Sequence, residues 1–364
     1  MSQVVVSTCG TSVLTNGADR DLAGAIIRSS NLANPWDLAN QAIREQIQAH
    51  VAERWDILTD STPAEAARMS AEINGILHLY PQGLDQQDHY FLISTNTWLG
   101  SESARIVAGW MEKAALNVQI VEIPDLRTDN VNTFHMGLSE LVKWCSETLP
   151  NYRSSGLRVI FNLTGGFKSV QGFMQTLSHF YADEAVYVFE GGMELLRLPG
   201  LPVELKLTDA VRDYLMVFRR LDRQLPLTRA ELAPILDTFI LSIQGQPGIV
   251  LSAWGELVYR ANRGLIYGER LWESPSPKIS YGPVFEMSLM GLSGDQIRQI
   301  NERIDDLATC LELGKCSDRL HLSPIHGKYS YPSTHEIYAW SGGEAARILG
   351  HYQGDLFVLD ILDN

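Results

Sequence analysis

The chain has 364 residues, 45% hydrophobic and 20% charged, a composition that suits a folded globular protein with room for two or three domains and excludes a disordered or fibrous one. Twenty-nine basic against 43 acidic residues give a formal net charge of −14, which excludes a general nucleic-acid coat, so any nucleotide site must be local. No apolar run approaches bilayer length, the N-terminus opens on a strand-like run, and Cys9, Cys145, Cys310 and Cys316 are too scattered for a disulfide framework; a cytoplasmic protein without membrane contact, its cysteines free thiols, is expected.

Short runs rich in Val, Ile, Phe and Leu fall at residues 3–8, 89–95, 117–123, 157–163 and 184–190, with helical spacing between them, the alternation of a parallel sheet. Three helical stretches, 21–30, 35–55 and 62–78, precede the second run; one crossover needs only one helix, so the excess reads as an insertion. A hairpin is expected around 190–198, then a helix over 207–222 that closes a first domain spanning 1–222. Residues 223–275 read as a helical connector, with helices over 228–244, opened by a Thr228/Glu231 capping box, and over 250–266. Beyond the proline-rich stretch 274–277, a strand over 278–290, an amphipathic helix over 293–313 and strands at 335–340, 345–350 and 355–362 make a small α+β domain over 276–364. The expected class is α/β: a Rossmann-like parallel sheet, a helical connector and a small α+β domain.

Two of the strand runs break straight into glycine turns that open helices. The first is Val4-Val5-Val6-Ser7-Thr8-Cys9-Gly10-Thr11-Ser12, the second Val159-Ile160-Phe161-Asn162-Leu163-Thr164-Gly165-Gly166-Phe167-Lys168. Glycines let backbone approach a ligand, N–H groups and hydroxyls at a helix start donate to oxygens, and Lys168 adds a charge, so both loops suit phosphate. Together they place one ligand site at the edge of a parallel sheet. Asn96 and Thr97, at the end of the 89–95 run, fall on the same edge, although Thr97 equally suits a helix N-cap. Neither Gly-x-Gly-x-x-Gly nor a Walker lysine loop is present, which argues against an ordinary NAD or ATP enzyme.

These loops and the strand order resemble the CRISPR-associated Rossmann-fold sensors, or CARF domains, over about residues 1–215. The resemblance implies a homodimer that binds a cyclic oligoadenylate, with the tetramer expected, through Gly10, Thr11, Ser12, Asn162, Thr164, Gly165, Gly166 and Lys168. Phe167 stands where that family usually has Thr, offering a ring to stack on adenine. Some members cleave their own messenger by 2′-hydroxyl attack, for which Ser12 and Lys168 are the candidates.

The C-terminal runs Thr334-His335-Glu336-Ile337-Tyr338-Ala339-Trp340, Ala346-Arg347-Ile348-Leu349 and Leu356-Phe357-Val358-Leu359 resemble the RelE mRNA interferases. The resemblance implies a metal-independent endoribonuclease that cuts mRNA at the ribosome, with Arg347 stabilising the phosphate and Lys328, His335 and His351 available for proton or charge work. No cofactor is expected; the cyclic oligoadenylate is an allosteric activator. In a competing reading, the C-terminal domain is an inactive binding module and chemistry is confined to messenger cleavage. A winged-helix regulator would need a more basic helix than 250–266, which offers Arg260 and Arg263. Cys310, Cys316, His321 and His326 are zinc-ligand types at spacings that match no familiar finger.

Overall fold

A computed structural model describes residues 2–128, 130–189, 194–200, 207–242, 248–325, 332–340 and 346–363. The chain divides into two compact units, Met1–Glu204 and Leu205–Asn364.

The N-terminal unit is built on a six-stranded sheet. Its strands are β1 (Gln3–Thr8), β2 (His89–Thr95), β3 (Asn117–Ile123), β4 (Arg158–Asn162), β5 (Glu184–Val188) and β6 (Leu195–Pro199), ordered β3-β2-β1-β4-β5-β6. All neighbours run parallel except β5 and β6, which pair antiparallel. Val4, Val5 and Val6 and their neighbours Val159, Ile160 and Phe161 are completely buried, because a central parallel strand is covered on both faces and reads as a continuous apolar run. Edge strand β3 is largely exposed instead, with only Ile123 buried. The five strand runs read from the sequence are thus all present; residues 190–193, between β5 and β6, lie outside the described residues.

Between β1 and β2 lie five helices: α1 (Ser12–Thr15), α2 (Arg20–Ser29), α3 (Gln41–Thr59), α4 (Pro63–Met69) and α5 (Ala71–Leu79). The helix expected over 35–55 is instead a 3₁₀ turn at Pro35–Asp37 followed by α3, whose start is set by Asn40 accepting from the Ile43 N–H. The stretch 62–78 divides at Ser70, which is extended and caps α5 through the Ile73 N–H. Helices α6 (Trp98–Lys113), α7 (Val131–Ser154) and α8 (Lys168–Tyr181) complete the unit.

The C-terminal unit opens with α9 (Thr208–Asp213) and α10 (Leu215–Asp222). Their residues Val211, Leu215, Phe218 and Leu221 share a core with Leu232, Phe239, Leu251, Val258 and Tyr259, so the break expected at 222 falls earlier, after residue 204. The helix expected over 228–244 is not formed. A single turn, α11 (Arg229–Leu232), precedes Pro234, whose missing N–H and ring stop the helix. The chain continues as β7 (Ile240–Ser242), antiparallel to β8 (Ile249–Leu251), and then α12 (Ala253–Glu269).

The strand expected over 278–290 is three residues long, β9 (Ile279–Tyr281), because Pro283 occupies the first position of α13 (Pro283–Ser288). Helix α14 (Gly294–Leu313), as expected, is followed by β10 (Ser323–Pro324), β11 (His335–Trp340), β12 (Ala346–Gln353) and β13 (Leu356–Asp363). The sheet order is β10-β11-β12-β13-β9, antiparallel except that β9 lies parallel to β13. Ile300, Ile304, Leu307 and Ala308 of α14 pack with Ile337, Ala339, Ile348, Phe357 and Leu359, so the alternate residues Glu336, Tyr338, Arg347 and His351 occupy the opposite face.

Gly314, with φ of 69°, ends α14 and turns the chain back, bringing the Cα atoms of Cys310 and Cys316 to 4.3 Å. The two are disulfide-bonded, which corrects the expectation of four free thiols; Cys9 and Cys145 are free and buried. Among the described residues, which exclude His326, no cluster could hold a metal ion. Nor is any described helix long and apolar enough to cross a membrane.

Candidate functional site

Adjacency of β1 and β4, with Ser7 opposite Asn162, puts the two glycine loops side by side at the carboxyl edge of the parallel sheet. They touch. A Cβ on Gly10 would lie 3.0 Å from both the Cα and N of Gly166, and Gly166 itself adopts φ of +109°, beside the Thr8 side chain. The Thr8 hydroxyl donates to the Gly165 carbonyl, and the Gln171 amide donates to the carbonyls of Leu163 (2.9 Å) and Gly165 (2.8 Å).

Asn162 and Thr164 build the loop rather than face outward. The buried Asn162 amide donates to Ser7 Oγ (3.1 Å) and the Glu72 carbonyl (3.0 Å), and its oxygen accepts from the Thr164 hydroxyl at 2.8 Å. The Thr164 hydroxyl oxygen in turn accepts the Val188 N–H at 3.1 Å.

At the centre of the two loops is a residue that the sequence did not single out. Glu72, in the first turn of α5, is fully buried and accepts from the Gly10 N–H (2.8 Å), the Ser12 hydroxyl (3.0 Å) and the Ser70 hydroxyl (2.7 Å). Gly165 lies directly over it: a Cβ there would stand 2.1 Å from Glu72 Oε1. A carboxylate fed by three donors is well held even without solvent. Burial first, and then the Glu72 charge, pushes the neighbouring Cys9 thiol well above its ordinary range. In the sequence, an acidic residue two places after Ser70 looks like an ordinary helix start, so nothing local marks its role.

The loop donors Gly10 and Ser12 are therefore already engaged. What faces outward is half-buried Thr11, Gly166 and Phe167 and exposed Lys168, at the N-terminus of the 14-residue α8, whose first position has no side-chain cap. Those unpaired N–H groups and the ammonium favour an anion. On the neighbouring strand end, half-buried Asn96 donates to Glu122 Oε1 (2.7 Å), whereas Thr97 is buried and spends its hydroxyl capping α6 through the Gly100 N–H (3.1 Å).

In the C-terminal unit, Arg347 donates to Glu336 at 2.9 Å and lies over the Tyr338 ring, 5.5 Å from its centroid, with 46% of its side chain exposed. His321 meets the other partner of this cluster, its ring 4.5 Å from that of Tyr338. His351 Nδ1 lies 2.9 and 3.1 Å from the two oxygens of Asp360, which also accepts from the Ser333 hydroxyl at 2.7 Å. Asp360 and Ser333 were not anticipated. His335 falls on the other sheet face, its ring edge-on to Tyr352 and Phe357 and its Nδ1 at 2.9 Å from Thr334 Oγ1, so the structure separates it from Arg347 and His351. Lys328 lies outside the described residues.

Residues 67–201 match the family described as CRISPR-associated protein (Cas_APE2256), a stretch that takes in Glu72, strands β2 to β6 and the second glycine loop. No curated protein matches the chain. Within the N-terminal unit, a six-stranded, mostly parallel α/β sheet with two glycine loops at its carboxyl edge, residues 67–201 are thus similar to the CRISPR-associated Cas_APE2256 family.

Proposed function

We propose that the protein is an ancillary sensor of type III CRISPR defence: a homodimer whose N-terminal units bind a cyclic oligoadenylate, with cyclic tetra-adenylate the expected size, and thereby switch on the C-terminal unit as an endoribonuclease acting on mRNA at the ribosome. The observation that carries the reading is the meeting of two glycine loops, Gly10 against Gly166, at the carboxyl edge of a sheet whose strands β2 to β6 lie within the match to a CRISPR-associated family. Phosphate is held by the α8 N–H groups and Lys168, and Phe167 stacks on a base. Supporting the ribonuclease half is a sheet whose face opposite α14 carries Arg347 for the phosphate and His351 for proton transfer. Messenger gating then follows from linkage: a ligand that binds one state of the protein more tightly shifts the population toward it.

Titration of the full-length protein with cyclic tetra-adenylate, cyclic hexa-adenylate and linear tetra-adenylate tests the sensor. Tight, ring-selective binding that Lys168→Ala weakens about tenfold or more is expected, and equal or absent binding of all three would overturn it. One observation favours a second reading. Arg347 already has a carboxylate partner in Glu336, which suits an inactive binding module, with any chemistry confined to messenger cleavage near Ser12 and Lys168. Arg347→Ala separates the two, abolishing RNA cleavage in the first and leaving messenger turnover untouched in the second.

A further inference from the structure

In the C-terminal sheet, the ladder between β12 and β13 slips by one residue. Leu349 pairs with Ile361 and Gly350 with Leu359, so Asp360 is an extra residue without a partner on β12. A bulge of this kind re-aims a side chain at the cost of a local break in the ladder. Here it directs the Asp360 carboxylate at His351, which pairs with Val358 two residues earlier. Both carboxylate oxygens lie within 3.1 Å of His351 Nδ1, and the Ser333 hydroxyl holds one of them from another direction. Asp360 is 8% exposed, so this contact is largely shielded from water.

We propose that His351 is the catalytic base of the C-terminal unit and Asp360 its positioning residue; this deepens the ribonuclease reading above and rests on it. An ionised carboxylate only accepts, so the proton of the imidazole sits on Nδ1 and the lone pair on Nε2. Nε2 has no hydrogen-bond partner among the described residues, and 22% of the His351 side chain is exposed. In the reaction, Nε2 takes the proton of an RNA 2′-hydroxyl as O2′ bonds to the adjacent phosphorus and the P–O5′ bond breaks. The departing pair stays on O5′, which takes a proton from water, and the imidazolium neutralises the hydroxide that remains. The products are a 2′,3′-cyclic phosphate and a 5′-hydroxyl, with no change of oxidation state. Arg347 is four residues along the same strand and face, about 13 Å by backbone rise, near enough for both side chains to engage one RNA segment.

The experiment follows initial rates from pH 5 to pH 9 for the full-length protein with cyclic tetra-adenylate, on naked RNA and on programmed ribosomes, for wild type, His351→Gln and Asp360→Asn. Expected is a loss of about 100-fold or more for His351→Gln together with its acid limb, and a loss of about 10-fold or more with an altered profile for Asp360→Asn at unchanged melting temperature. Folded variants that cleave within twofold of wild type with the same profile would overturn the assignment and leave the ribonuclease reading standing. A wild-type protein that cleaves neither RNA with messenger present would overturn the ribonuclease reading, and the assignment with it. Should a variant misfold, carbethoxylation of wild type, mapped by mass spectrometry, decides the matter: activity lost in step with modification at His351 supports the assignment, and activity retained after it refutes it.

Discussion

Glu72 and Glu336 are both carboxylates bonded to a group that the sequence assigns to a ligand, and their surroundings differ completely. Glu72 is sealed beneath Gly165 with three donors, so the loops around it are tied together by buried hydrogen bonds. Glu336 reaches to the adjacent strand and an arginine that is nearly half exposed, a contact that solvent screens. The N-terminal unit thus preorganises backbone at a sheet edge, whereas the C-terminal unit displays side chains on a sheet face. The first suits recognition of a fixed ligand and the second a long, variable chain.

Breaking a sealed contact should cost far more than breaking an exposed one. The largest effect is expected at Arg219 and Asp305, an ion pair at 2.6 Å with each side chain 1% exposed: Asp305→Ala strands a buried guanidinium and should cost about 3–5 kcal/mol, measured by urea unfolding. Glu72→Ala leaves the Gly10 N–H and two hydroxyls without their acceptor and should cost about 3 kcal/mol, with loss of messenger binding in the same titration. Gly165→Ala must push against the Glu72 carboxylate and should cost about 1–3 kcal/mol, while Gly172→Ala, with open space around it in α8, should stabilise by about 0.5–1 kcal/mol. A melt in which these two glycine variants behave alike would show that the loop is not closed on Glu72. Arg347→Ala should change stability by less than about 1 kcal/mol while removing RNA cleavage.

The buried thiols give a check through pH. Burial raises Cys9 and Cys145 above the ordinary thiol range, so both stay protonated and resist alkylation at pH 8 until the protein unfolds. Because the folded state holds these protons more tightly, their contribution to stability is present below the unfolded thiol value of about 8.5 and declines as pH rises above it. Rapid native-state labelling of either cysteine would contradict the packing around β1 and α7.

The central strands and both glycine loops were legible because their causes are local: consecutive apolar residues demand two covered faces, and Gly10, Gly165 and Gly166 mark tight backbone contact. Local signals misled where one residue overrode a pattern, as Pro234 did in cutting short the helix expected over 228–244. Glu72 was hidden because its partners are 60 and 62 residues away, and Asp360 because a bulge depends on how two strands register. The disulfide likewise depends on the turn at Gly314 rather than on cysteine spacing. His335 and His351 look equivalent along the chain; His335 pairs with Gly350, so strand alternation puts the two on opposite faces.

Ribosome-programmed mRNA cleavage by the full-length protein, with and without cyclic tetra-adenylate and with Arg347→Ala alongside, tests messenger gating most directly. Cleavage that requires both the messenger and Arg347 is the expected result. Tight messenger binding without cleavage under any of these conditions would contradict it and leave the C-terminal unit a binding module.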